Sequence, residues 1–203
     1  TMINVAGTTN IDWVIKNFYK NSNLYNSKIS IIKKFENKYI KNKFPKNPII
    51  FLPYLNYGGS ISPIVNFNSK AEIFGLLPHH GGFDILSACY EGIAMSIKDC
   101  YGKKIKKNDV LYLSGGGSKS LILPQIISNT LNIKVKTLKN SELGALGVCY
   151  LTSSLVTKKN LDTIIKNGTK ISKVFNPNKN YQSYMQQKYY KYTKLRESLN
   201  KIW

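Results

Sequence analysis

Apolar positions along this chain switch between two spacings, and the switch predicts its elements. Ile11, Val14, Ile15 and Phe18 repeat at helical spacing behind the small-residue turn Ala6-Gly7-Thr8-Thr9-Asn10. The pattern predicts a helix capped by Thr9 or Asn10, with Asp12 in its first turn. Before it, Thr1–Val5 reads as a short strand or strand remnant. A lysine-rich amphipathic helix follows over roughly Ser27–Lys41, ended by Pro45 and Pro48. Ile49–Leu52 is a brief apolar run of the kind a buried strand shows, and Ala71–Leu77 reads as a second strand. Between them, Pro53–Phe67 is rich in Gly, Pro, Ser and Asn and reads as a loop.

The clearest helix spans about Gly82–Tyr101, with Ile85, Ala88, Cys89, Gly92, Ile93 and Ser96 on one face. Ala88, Gly92 and Ser96 are small and recur at every fourth position, which lets another backbone come close. A regular alternation follows. Val110–Leu113 is a strand, Gly115–Ser118 a turn, Ser120–Leu131 a helix, Ile133–Thr137 a strand and Ser141–Val156 a helix. Leu143, Leu146, Gly147, Tyr150 and Leu151 share one face of that last helix. Strand–helix alternation implies an α/β layered core. Beyond Leu161 the chain turns polar, Pro177–Asn180 breaks it, and Tyr181–Ile202 reads as a terminal helix studded with tyrosine and lysine.

Composition narrows the function. A chain of 203 residues, 42% hydrophobic, can bury one sizeable core. No apolar run reaches the roughly 20 residues of a membrane helix, so a membrane partner is not expected. The 3 cysteines, Cys89, Cys100 and Cys149, lack paired spacing, which fits reduced thiols in a cytoplasmic protein. The net charge of +20 raises the question of nucleic acid. Yet every basic residue except Arg196 is lysine, spread along the whole chain among Asn and Ile. Arginine, the residue of bidentate contacts to guanine and phosphate, is almost absent, so nucleic acid is disfavoured as a partner. The tyrosine–lysine tail reads as an amphipathic packing helix in preference to a base-stacking surface.

Chemistry concentrates where the strand Val110–Leu113 runs into Gly115, Gly116 and Gly117 and then a helix start. Glycine lets backbone approach a ligand without a Cβ in the way, and the amides at a helix start suit an anion. A tight connection alone explains the same pattern. Neither GxGxxG nor GxxxxGK[ST] is present. Glu91 lies on a helix against the core, where a structural hydrogen bond is the better reading than a catalytic carboxylate. His79-His80 is read as a solvated loop whose adjacent side chains point apart, without a third metal ligand.

A second segment adds to this. Ala71-Glu-Ile-Phe-Gly-Leu76, followed after residues 77–83 by Asp84-Ile-Leu-Ser-Ala-Cys-Tyr-Glu-Gly92, resembles the signature of the FGGY carbohydrate kinases. Further landmarks occur in the family's order: Phe51-Leu-Pro-Tyr54, Leu113-Ser-Gly-Gly-Gly-Ser-Lys-Ser120, and Glu142-Leu-Gly-Ala-Leu-Gly147. Thr9-Asn-Ile-Asp-Trp13 is similar to the family helix that borders the ATP phosphates. Cys89 and Pro124 depart from the pattern; Pro124 removes one amide hydrogen bond from the early turns of its helix.

The resemblance implies an actin-like ATPase (ribonuclease H-like) domain, incomplete at its amino end. Residues 1–157 would form the partial carboxy-terminal nucleotide-binding domain, and 158–203 a helical extension. It implies ATP as cofactor with Mg²⁺ held largely by the amino-terminal lobe, which would also bring the sugar substrate and the catalytic Asp. No catalytic residue is expected within this chain. Gly115, Gly116 and Gly117 would lie against the adenosine, with Ser120 near the adenine or capping the helix behind it. Thr8 and Asp12 would sit beside the phosphates, although Asp12 equally suits its helix N-terminus. The chain opens on Thr, and the family's glycine–threonine phosphate loop has no counterpart here, which fits a truncated piece inactive alone. Leu-Pro-His-His and Ser-Gly-Gly-Gly look nearest to xylulose-type members. A non-catalytic relict or interaction domain of the same fold stays open, as does a homodimer.

Overall fold

The computed structural model describes residues 7–19, 25–42, 46–55, 59–60, 62–139 and 142–203. The strand expected at 1–5 lies outside the described residues. Helices are α1 (Thr9–Phe18), α2 (Tyr25–Lys41), α3 (Gly82–Tyr101), α4 (Leu123–Leu131), α5 (Leu143–Thr157), α6 (Leu161–Gly168) and α7 (Lys179–Leu199). Strands are β1 (Ile50–Leu52), β2 (Glu72–Phe74), β3 (Val110–Leu113), β4 (Lys134–Leu138) and β5 (Ile171–Phe175). β1 and β2 pair antiparallel, with Phe51 opposite Ile73. A second sheet has the order β3-β4-β5, in which β3 and β4 run parallel and β4 and β5 antiparallel.

Helix α3 is the centre of the core. Twelve consecutive residues cannot all face one partner, and here Ile85 to Ser96 are buried all round the helix because α1, β1, α4 and α7 surround it. The small stripe does what its spacing predicts. Gly92 lies so close to β1 that a Cβ built on it would stand 2.3 Å from the Phe51 carbonyl oxygen. Only hydrogen fits there.

The polar tail packs onto this core. Tyr181, Met185, Lys188, Tyr192 and Arg196 make the buried face of α7. The hydroxyls of Tyr39 and Tyr181 donate to Glu91 Oε1 at 3.2 and 3.1 Å, and the Tyr184 hydroxyl donates to Oε2 at 3.2 Å. Lys188 Nζ ion-pairs with Glu91 and donates to the Asn47 carbonyl at 2.6 Å. Glu91 thus ties α2, α3 and α7 together, and its role is structural. Burial pushes the Lys188 ammonium's pKa down, with Glu91 pulling against it. The lone arginine forms a second buried pair: Arg196 Nε lies 2.7 Å from Asp99 Oδ2.

Four local readings change. Neither Thr9 nor Asn10 caps α1; Thr8 holds the N-cap position without a side-chain bond, and the Asn10 amide reaches back to the Gly7 carbonyl at 3.0 Å. The helix expected from Ser120 starts at Leu123, because residues 116–119 form a 3₁₀ turn. Residues 158–203 are not all helix: β5 joins the sheet, and α6 is capped by Asn160 accepting from the Asp162 and Thr163 amides. The His79 and His80 rings do not point apart but lie 4.3 Å between centroids, with His80 Nδ1 accepting from the Leu77 amide at 2.9 Å.

Candidate functional site

The glycine loop leaves the carboxyl end of β3, the edge where open α/β sheets commonly hold ligands. Gly115 adopts φ +74°, in the left-handed region that favours glycine. Its carbonyl accepts from the Ser118 hydroxyl at 2.7 Å and the Ser118 amide at 3.2 Å, closing the turn. Gly116 and Gly117 then pass beside the start of α1. A Cβ on Gly116 would meet Thr8 Oγ1 at 3.9 Å, an ordinary contact. One on Gly117 would crowd Leu123 at 3.2 Å.

Glu36 of α2 anchors the exit of the loop. Its buried carboxylate accepts the Ser120 hydroxyl and the Tyr90 hydroxyl on Oε1, the latter at 3.2 Å, and the Leu121 amide on Oε2 at 3.0 Å. Ser120 Oγ in turn accepts the Leu123 amide at 2.9 Å and the Ile122 amide at 3.2 Å. It therefore serves as a helix cap, two residues further out than a plain N-cap would sit. Pro124 falls in the first turn of α4, where its missing amide costs no helical hydrogen bond. Burial, and then the Glu36 carboxylate, push the Tyr90 hydroxyl's pKa up, so it stays a donor.

These elements enclose an open cavity of about 550 Å³ between α1, α2 and the glycine loop. Thr8, Asp12, Gly116, Gly117 and Ser120 all line it; Gly115 does not. Three lysines also face it: Lys28 and Lys33 from α2, and Lys119 from the loop. Asp12 is neutralised by Lys28, whose Nζ lies 2.7 Å from Oδ1. Among the described residues Lys33 and Lys119 have no carboxylate partner. Both carboxylates at the cavity are thus engaged while two ammonium groups are not, which favours an anionic ligand. Among the described residues no group of His, Cys, Asp and Glu is arranged to hold a metal ion. Divalent metal fits this cavity poorly by itself, because Asp12 is paired and Glu36 is filled by donors; Mg²⁺ would enter on a ligand's own oxygens.

The sequence reading missed Glu36, Lys28, Lys33 and Lys119. Glu36 had a signal: it is the sole acid in the lysine-rich stretch 27–41. Spaced with Lys28, Ile29, Ile32 and Lys33, it marks the α2 face that borders the cavity.

An α/β body with an open cavity at a glycine loop defines the class, and comparison with known proteins gives the family. Residues 1–155 match the C-terminal domain of the FGGY family of carbohydrate kinases, and the chain belongs to that family. The erythritol kinase of Brucella abortus is 25% identical over 153 residues, covering 74% of this chain and 29% of that protein. The xylulose kinase of Staphylococcus epidermidis is 25% identical over 192 residues, covering 91% of this chain and 36% of that protein. The chain therefore spans well under half the length of these relatives. Among solved structures, gluconate kinase from Lactobacillus acidophilus superposes with a TM-score of 0.78 at 23% identity, covering 96% of this chain and 38% of that one. Plasmodium falciparum glycerol kinase with ADP does so with a TM-score of 0.72 at 22% identity, covering 95% and 37%. The fold is the actin-like ATPase fold of these kinases. Among the described residues no helix is long and apolar enough to cross a membrane.

Proposed function

We propose that this chain is the ATP-binding lobe of a cytoplasmic kinase that transfers the γ-phosphate of ATP to a hydroxyl of a pentulose or polyol. The observation that carries the reading is the cavity itself. Two segments far apart in sequence, Thr8–Asp12 and Gly116–Ser120, meet around about 550 Å³ of open space, within the usual range for a nucleotide-sized ligand. The adenosine lies against the backbone of Gly116 and Gly117, and the phosphates lie toward Thr8 and the start of α1. Ser120 acts by capping α4 and fixing the loop, and Asp12 by holding Lys28 in place. Gly115 contributes by its backbone conformation alone. Mg²⁺ travels with the phosphates and supplies charge neutralisation there.

Phosphoryl transfer also needs a carboxylate that holds the acceptor hydroxyl. The buried Glu91 is occupied by three tyrosines and Lys188 and cannot serve. Base and sugar contacts come from the other lobe, so the 203-residue chain binds nucleotide weakly, with Kd near 1 mM, about 4 kcal/mol, and does not turn over with pentulose, ATP and Mg²⁺. Gly116→Val tests the site. The fold has room for a Cβ there, but the added side chain enters the cavity. Nuclear magnetic resonance titration with ADP is expected to move Gly116–Ser120 and Thr8 resonances in the wild type. The variant keeps its melting temperature and loses these shifts. Equal ADP binding by both would remove the cavity from consideration.

A further inference from the structure

Lys119 and Ser120 line two cavities, not one. Besides the space between α1, α2 and the glycine loop, they border a second of about 390 Å³. Its other walls are Ser118, the end of β4 from Thr137 to Lys139, and Ser172 and Lys173 of β5. Among these residues Leu138 alone is apolar, none is aromatic and none is acidic. The backbone here departs from a regular sheet. Thr137 lies opposite Lys173 but Leu138 lies opposite Ile171, so Ser172 has no partner across the ladder. In an unbroken strand Ser172 and Lys173 would project from opposite faces. Here both line the same cavity. Pairing continues past the irregularity, with the Lys139 amide donating to the Lys170 carbonyl at 2.9 Å. The bulge is therefore set inside the ladder and is not a frayed end, and a bulge so placed re-aims side chains.

Three lysines from three separate segments, Lys119, Lys139 and Lys173, thus share one small space. Among the described residues none of them has a carboxylate partner. The Ser118 and Ser120 hydroxyls already donate to the Gly115 carbonyl and to Glu36, which leaves the ammonium groups and the Ser172 hydroxyl to meet a ligand. Like charges brought together without an acid repel one another, and an anion of two or more charges relieves that. Lysine serves such an anion as a point charge. With no aromatic wall there is no platform for a base. We infer that this second cavity binds a small hydrophilic phosphate compound lacking a base, and that its occupancy opposes nucleotide binding next door. The coupling rests on the nucleotide reading above; the site does not. Lys119 borders both spaces and has one ammonium to give, and two polyanions so near each other repel. The effect is reciprocal, so nucleotide weakens the second anion by the same factor.

The probe is inorganic diphosphate without Mg²⁺, titrated into the 203-residue chain and followed by nuclear magnetic resonance. Resonances of Thr137–Lys139 and Ser172–Lys173 are expected to shift and saturate. The double variant Lys139→Gln, Lys173→Gln should bind diphosphate at least about 10-fold more weakly, as for the loss of charged hydrogen bonds. Both side chains are exposed, so its melting temperature should hold. Lys158→Gln, Lys159→Gln removes the same net charge from residues that line neither cavity, and should leave diphosphate binding as it was. Equal losses in both variants, or shifts that never saturate, would show only the general pull of a +20 chain and overturn the inference. So would shifts confined to Thr8 and Lys33, which belong to the nucleotide cavity. With diphosphate saturating, ADP should bind about 5-fold more weakly or worse to the wild type, and as before to the Lys139, Lys173 variant. No change in the wild type, or the same loss in that variant, refutes the coupling. Diphosphate shifts at β4 and β5 without any response to ADP would sink the nucleotide reading and leave the second site standing.

Discussion

Replacing Gly92 with alanine should be among the most damaging single-atom additions to this protein. Alanine in a helix interior is favoured over glycine by about 1 kcal/mol, so propensity alone predicts a more stable variant. The structure predicts the reverse. The new methyl would sit 2.3 Å from Phe51 O and 3.2 Å from Phe51 C and Cβ. The obstacle is backbone, so no rotamer change relieves it. β1 would have to move about 1 Å away from α3 to restore van der Waals contact, and all three of its residues are buried. Overpacking of this kind costs about 1–3 kcal/mol or more, and it must first cancel the propensity gain. We expect a net loss of about 2 kcal/mol. Gly147→Ala is the matched control: it too lies within a helix, with nothing inside 4 Å of the added Cβ. That variant should gain up to about 1 kcal/mol. Urea unfolding at constant slope reads both. The midpoints should move in opposite directions, and a Gly92→Ala protein as stable as wild type would refute the close approach of β1 to α3.

The tyrosines predict alkaline lability. Burial raises the pKa of Tyr39, Tyr54, Tyr90, Tyr181, Tyr184 and Tyr192 above the ordinary 10.0, and that of the less buried Tyr19 to about 12. A raised folded value stabilises fully below the unfolded pKa, and the stabilisation is lost as pH climbs above 10. Each group then contributes a slope of up to about 1.4 kcal/mol per pH unit. Lys188 and Lys98, lowered by burial, oppose this only below about 10.5, where the unfolded ammonium still holds its proton. The last part of the phenolate absorbance, that of the buried tyrosines, should therefore appear only as the circular dichroism is lost above pH 10; ionisation of all 14 tyrosines with the fold intact would contradict the burial. Glu91→Ala leaves the buried Lys188 ammonium without its counter-charge and takes one acceptor from three tyrosine hydroxyls, and should cost about 3–5 kcal/mol. Glu91→Met combined with Lys188→Met should cost clearly less than the two single losses added, which thermal melts of all three variants will decide.

Where a residue's environment is set by its near neighbours, the sequence was readable. α3 follows from a repeating face, and the small stripe at Ala88, Gly92 and Ser96 foretold the approach of β1. The glycine loop after β3 and its meeting with the start of α1 were legible through the family's ordered landmarks. The rest depended on partners distant in the chain. The start of α4 moved from Ser120 to Leu123 because Glu36, from another helix, takes the Ser120 hydroxyl and the Leu121 amide. β5 was missed because its first four residues are exposed. A strand with no buried face carries no apolar alternation to detect; its place is fixed by hydrogen bonds to β4. Nothing in the sequence singles out Lys188 and Arg196 from the other cations of the tail, and only the packing of α7 on α3 shows them buried against Glu91 and Asp99.

The same packing decides which aromatic faces of α7 are open. The tail aromatics that would form a stacking platform are occupied: Tyr181 and Tyr192 are buried, and Tyr189 carries Lys98 over its ring at 4.5 Å. Tyr190 is exposed but has Lys194 over its face at 5.9 Å. An anion drawn in by the general field is therefore not met by bare aromatic faces along α7. At the cavity the balance is different. Asp12 and Glu36 are each satisfied within the protein, one by Lys28 and the other by the loop it anchors, and Lys33 and Lys119 are left facing the opening. On the proposed nucleotide reading, Lys33 and Lys119, facing the opening beside a paired Asp12, are the part of the chain's charge that would act on a ligand there.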